Sequence, residues 1–213
     1  MRTSIVVRGL VAAAGVALPL LAQAGSSVQT GNGTLTATAQ VQFSVTIPQV
    51  LYLRVGTGSA YTTGALTTNA AIDTITFAPT VGQLASGGAV AGTGGDLTNG
   101  VETAAVIGNG GTVTLGASTP GAMNDGAAGD TINWSSITTA STTLTTGTAL
   151  PAPILANGAS ANLTLNPTTK TVFQDARWTY TYNLTAGNVP AAGNYGGATA
   201  AQNGLVTYTA SMP

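Results

Sequence analysis

From Leu35 to Val55, apolar side chains fall on nearly every odd position: Leu35, Ala37, Ala39, Val41, Phe43, Val45, Ile47, Leu51, Leu53 and Val55. The even positions as far as Thr46 are polar. A period of two sends alternate side chains to opposite faces of an extended chain, so this run predicts a strand with one dry face and one wet face. Pro48 has no backbone donor and marks a sheet edge, a bulge or a break. The simplest parse is one strand from about Leu35 to Ile47 and a second from about Val50 to Val55, closed by Gly56-Thr57-Gly58. The alternation returns in the last third, at Trp178, Tyr180, Tyr182 and Leu184, and again at Val206, Tyr208, Ala210 and Met212, just before Pro213. A chain that opens and closes on strands suits a module that exchanges strands with its neighbours.

Between these ends the chain predicts further short strands. Ile72–Phe77 is one, ended by Pro79, while the Gly- and Ala-rich residues 82–100 read as a long loop. Thr103–Ile107 and Thr112–Ala117 flank Gly108-Asn109-Gly110-Gly111, a hairpin signal because Asn and Gly accept positive φ. Residues 120–129 form another loop, Thr131–Ile137 carries a strand pattern with a slip of parity, and Leu163 and Leu165 mark a strand after the Asn157-Gly158 turn. Ala186–Asn203 reads as a polar loop. Thr is abundant and the helix formers Glu, Lys and Arg are scarce, so no amphipathic helix is expected after the first residues. The sum is an all-β fold of roughly eight to ten short strands, expected as an immunoglobulin-like antiparallel β-sandwich.

The first 24 residues are expected to lie outside that fold. Arg2 and Arg8 precede an apolar stretch from Gly9 to Leu21, and Ala22-Gln23-Ala24 is a small-x-small cleavage site. This is the pattern of a secretory signal peptide. A transmembrane anchor is the competing reading, but the stretch is shorter than the roughly 20 residues needed to span a bilayer. The expected organisation is a signal peptide over residues 1–24, an N-terminal extension over 25–47 and a β-sandwich domain over 48–213. Cleavage leaves Arg54, Lys170 and Arg177 against six acidic residues, with no basic patch for nucleic acid or anionic lipid. Charged residues make up 5% of the chain, where about 25% is usual. A surface of Thr, Ser, Asn, Gly and Ala lacks the like-charge repulsion that keeps molecules apart. It suits a protein packed into an extracellular polymer, and equally a secreted monomer of low charge. The absence of Cys leaves stability to the core or to neighbours.

Catalytic constellations are hard to assemble. Without His, the commonest general base and zinc ligand is missing. A Ser–Lys pair would have to use Lys170, in a Thr-rich turn that matches no nucleophile signature. No two of the six acids sit in a glycosidase-like motif. Asn124-Asp125-Gly126 with Asp130 offers oxygens for calcium, but the spacing is not that of an EF-hand, and the competing reading is a turn bonded to its own backbone. Asp175 and Arg177 share a strand face, which predicts a surface ion pair; the sharper alternative is an isopeptide crosslink from Lys170. Tyr52, Tyr61 and Tyr195 are candidates for a sugar platform or for ordinary packing. No enzyme, cofactor or metal is expected.

A sandwich lacking one strand exposes a hydrophobic groove and two unpaired edges, which an extended peptide from a neighbour can fill. Leu35, Ala37, Ala39, Val41 and Phe43 would be the donor side chains, behind a small polar lead, GSSVQTGNGT. Alternatively, the run is the first strand of its own sheet. The front, Leu35-Thr36-Ala37-Thr38-Ala39-Gln40-Val41 leading through Pro48 into Leu51-Tyr52-Leu53, resembles chaperone–usher pilins, especially the cysteine-free, colonisation-factor-like class. So does the close, Val189-Pro190-Ala191-Ala192-Gly193-Asn194-Tyr195-Gly196-Gly197 followed by a terminal strand. The middle of the chain departs from that pattern, and the loop from Gly197 to Leu205 is longer than it. The resemblance implies a fimbrial subunit reaching the cell surface through a Gram-negative periplasm. A chaperone would cap the last strand (Val206, Tyr208, Ala210, Met212), an usher would export the subunit, and other copies or related subunits would be its partners. The rival function is a secreted monomeric adhesin or matrix protein that binds glycans.

Overall fold

The computed structural model describes residues 26–57, 66, 68–127, 129–167 and 169–213. The expected signal peptide and Tyr61 lie outside these residues. The chain divides into two units, one ending at Ile47 and the other spanning Pro48–Pro213. In the first unit, residues 26–47 are exposed throughout and form no strand. The strand expected over Leu35–Ile47 is therefore not present within the chain. Alternation makes a segment fit for a sheet, but strand hydrogen bonds need a partner backbone.

The second unit is all-β, with antiparallel sheets. The strands are β1 (Leu51–Val55), β2 (Ile75–Phe77), β3 (Gly88–Gly94), β4 (Val101–Gly108), β5 (Val113–Ser118), β6 (Met123–Asn124), β7 (Thr131–Ile132), β8 (Ile137–Thr142), β9 (Leu163–Leu165), β10 (Val172–Leu184) and β11 (Thr207–Ser211). One sheet has the order β1-β4-β10-β3-β2, with β8 also paired to β10; a second has the order β11-β5-β9; β6 and β7 pair separately.

β10 organises the first sheet. Its residues Val172–Thr179 pair with β4 and Thr181–Leu184 with β3, while β8 pairs with Arg177–Tyr182. β3 and β4 thus succeed each other along β10, and the chain makes an excursion between them. Gly92 and Gly100 allow its neck to close: a Cβ on Gly100 would lie 2.7 Å from the Gly92 Cα, and Gly100 has a φ of +71°. The sequence placed this stretch in a loop, because Gly and Ala give little strand signal. Pairing to the end of β10 and to β2 overrides that weak propensity. A helix missed by the sequence reading, α1 (Val81–Ser86), starts at a capping box in which Thr80 and Gln83 satisfy each other's backbone groups.

β4 and β5 do not form the expected hairpin; they lie in different sheets. Asn109 is used elsewhere. Its side chain accepts from Val50 N at 2.7 Å and donates to Pro48 O at 2.8 Å. Gly108 has no Cβ to obstruct Val113, whose Cγ2 would be 2.9 Å away, so the chain can turn from one sheet into the other. The two sheets meet through Trp178 and Tyr208, with ring centroids 5.2 Å apart, and through the hydroxyls of Tyr180 and Tyr208 at 2.9 Å. Val106, Val113, Leu115, Leu150 and Leu155 fill the surrounding core. The Trp178 indole donates to Leu150 O at 2.8 Å, so even the largest core residue has no unmet polar atom.

Candidate functional site

The structure separates the two halves of the expected assembly site by exposure. In the N-terminal run, Val41 is 75% exposed and Phe43 87%. Leu35, Ala37 and Ala39 are exposed as well, as are Val45 and Ile47 beyond the expected donor positions. An apolar row of this length in water is unusual for a free chain, since each large side chain gains about 1.5–3 kcal/mol on burial. Tyr208, Ala210 and Met212, by contrast, are half-buried on the inward face of the second sheet, and Val206 packs against the same core. β11 pairs with β5 on one side. Among the described residues, no strand pairs with its other side.

The side chains flanking that open edge are apolar. Leu53 and Val55 of β1, itself an edge strand, are half-buried against the core, and Leu51 is exposed beside Gly108 and Met212. The place where β1 begins is tied to the place where β11 ends: Gln49 Nε2 donates to Pro213 O at 2.6 Å, and Gly110 N approaches Met212 Sδ at 3.1 Å. These polar links, with the Asn109 pair, fix the pole from which the chain leads back into the exposed run.

Other candidates resolve into different roles. The Asp175 carboxylate is fully buried and makes no surface ion pair. It accepts from Thr145 N at 3.0 Å, Thr146 N at 2.9 Å, Thr146 Oγ1 at 2.8 Å and also Thr145 Oγ1. Burial opposes its ionisation, but these hydrogen bonds outweigh that and hold its pKa below the usual value. Arg177 instead donates to Thr143 O at 2.8 Å, and Lys170 is exposed. In the suspected calcium loop, Asn124 Oδ1 accepts from Gly126 N and Asp125 Oδ1 from Ala127 N, both at 2.9 Å, as backbone-bonded turns do. Asp130 accepts from Ala191 N at 3.0 Å. Tyr195 is half-buried with its hydroxyl on Ala191 O, and Tyr52 is half-buried on the outer face of β1.

The sequence reading missed one cluster. Asp73, Asp96 and Glu102 each bring a carboxylate oxygen within 4.8 Å of the others, the one arrangement among the described residues that could hold a cation. Asp73 lies 23 residues before Asp96 and Glu102 six after it, a spacing that matches no ligand motif. Glu102, buried on β4, accepts from Asp96 N at 3.1 Å, and Asp73 accepts from Thr57 N. Asp96 accepts from Thr103 N at 2.7 Å and lies 3.6 Å from Arg54. Burial, together with the neighbouring carboxylates, pushes the pKa of Glu102 up to about 8. The cluster therefore holds a proton on Glu102 at neutral pH, and its hydrogen bonds tie the β1 end and the excursion before β4 together.

No helix among the described residues is long and apolar enough to cross a membrane. Comparison with protein-family models, curated proteins and solved structures gives no match for this chain.

Proposed function

We propose that this protein is a structural subunit of an extracellular filament, assembled by donor-strand exchange and without catalytic activity. The observation that carries the reading is the run from Leu35 to Ile47, alternating in sequence yet exposed and outside every strand of its own chain. The acceptor is the open edge of β11, where Tyr208, Ala210 and Met212 leave the core half-covered. In this reading the second unit is an immunoglobulin-like sandwich short of one strand, and the run of a second copy supplies it. Backbone pairing gives affinity and alternate side chains fill the seam. Chain direction favours a partner copy. β11 runs toward the pole where Pro48 begins, so a run laid back from Pro48 along β11 of its own chain would be parallel to it; a second copy can supply an antiparallel strand. A heterologous contact of this kind propagates into an open filament. The signal-peptide pattern and the resemblance to pilins support an assembly at a Gram-negative cell surface, in which a periplasmic chaperone would hold β11 until an usher exports the subunit.

The test uses two full-length variants. Val41→Asp with Phe43→Asp disables the donor, and Ala210→Arg disables the acceptor edge. Each alone should remain monomeric by sedimentation and electron microscopy while the parent polymerises. Mixed, they should form a capped heterodimer, because one intact donor and one intact acceptor remain. A parent that stays monomeric at high concentration, or a donor variant that still polymerises, would overturn the proposal.

A further inference from the structure

A cleft of about 460 Å³ opens beside β10, between the turn Thr145–Thr148, the Asn166-Pro167 corner after β9 and the strand Thr171–Gln174. Its volume falls within the range of small-molecule sites, roughly 300–1,000 Å³. Its lining holds no charged side chain; hydroxyls and amides from Thr148, Asn166, Thr171 and Gln174 supply the polar groups, and Phe173 presents a partly exposed ring. Two features set it apart from an ordinary surface dent. The wall is braced from behind, because buried Asp175 fixes both Thr145 and Thr146 through backbone and hydroxyl donors. A buried carboxylate spent on one turn gives a rigid wall, which lowers the ordering cost of binding. In addition, the Gln174 carboxamide oxygen is buried without a hydrogen-bond partner. Orphaned acceptors are rare in folded proteins because they forfeit solvation without replacement.

We infer that this cleft is a binding site for a neutral saccharide. A sugar ring offers hydroxyls that both donate and accept, which fits a lining of threonine hydroxyls and carboxamides. A neutral ligand suits walls without charge. Rotation of the Gln174 amide on binding would bring its orphaned oxygen onto a sugar hydroxyl. None of the lining residues belongs to β11 or to the N-terminal run, so occupancy of the cleft can be read whether or not the protein polymerises.

The test is amide-resolved NMR of the mature chain titrated with the methyl glycosides of glucose, galactose and N-acetylglucosamine. At least one should give saturable shifts at Thr148, Asn166 and Gln174. Gln174→Leu should weaken that binding about tenfold or more, since a lost hydrogen bond is worth about a factor of ten. It should also melt higher than the parent, because the orphaned acceptor is gone. Asn166→Ala, at the exposed rim, gives the same loss of binding without touching the core and decides the matter if Gln174→Leu fails to fold. The inference is overturned if none of the three glycosides gives saturable shifts, or if the shifts survive undiminished in the variants that fold.

Discussion

Glu102 and Asp175 are both buried carboxylates, yet they are held in opposite states. Glu102 sits among like charges and keeps its proton up to about pH 8, whereas in the unfolded chain it would lose it near 4.5. Its contribution to stability is full below pH 4.5, declines as pH rises, and is gone above about 8, because the unfolded state releases the proton first. Asp175 is shifted the other way by Thr145 and Thr146. Its contribution is full above its unfolded pKa, near 3.8, and is lost as pH falls through the lower folded value. For these two sites together, stability should peak near pH 4–5. Thermal melts should show a midpoint that falls between pH 5 and pH 8. Glu102→Gln should flatten that slope and melt above the parent at pH 8. Asp175→Ala strands the donors of the Thr145–Thr146 turn and should cost about 3 kcal/mol at pH 7, measured by denaturant unfolding.

At the scale of elements, β10 and β11 are joined by aromatic side chains. Burial raises the pKa of both Tyr180 and Tyr208, the latter to about 12, so the hydroxyl pair between the sheets stays neutral across the physiological range. Tyr208→Phe leaves the Tyr180 hydroxyl without this partner and should cost about 1–2 kcal/mol. Adding Tyr180→Phe should recover most of that loss, since no orphaned hydroxyl remains; a denaturant double-mutant cycle measures the coupling. Trp178 offers the sharper contrast. Truncation to Ala removes a fully buried ring and its bond to Leu150, and should cost about 3–5 kcal/mol.

For the whole molecule, the exposed run and the covered core imply different responses to mutation. Val41→Asp with Phe43→Asp changes side chains that touch water already, so the melting temperature of the monomer should stay within about 2 °C of the parent. Loss of assembly without loss of monomer stability separates a donor segment from a strand of the domain's own sheet. The reverse result, a cooperative fall in melting temperature, would mean that the run is part of the folded domain in solution.

Period-two alternation was enough to place β1, β5, β11 and the Trp178–Leu184 part of β10, because each carries its own dry face whatever it packs against; β4, buried on both faces from Glu102 to Val106, was marked only by the glycine-rich turn that follows it. Pro48 marked the break before β1 for an equally local reason: a missing donor. Composition alone made helices scarce and a catalytic histidine or disulfide impossible. What the tertiary structure decided was partnership. The chain crosses between sheets at Gly108 because that glycine sits against Val113, a contact no turn propensity reports. β3 exists because β10 and β2 lie beside it, and Asp175 is buried because a threonine turn about thirty residues away in sequence folds over it. Asp73, Asp96 and Glu102 converge from three separate segments. The run from Leu35 to Ile47 makes the same point from the other side. Its alternation is local and legible, but a strand is a relation between two backbones, and within its own chain this run has no second one.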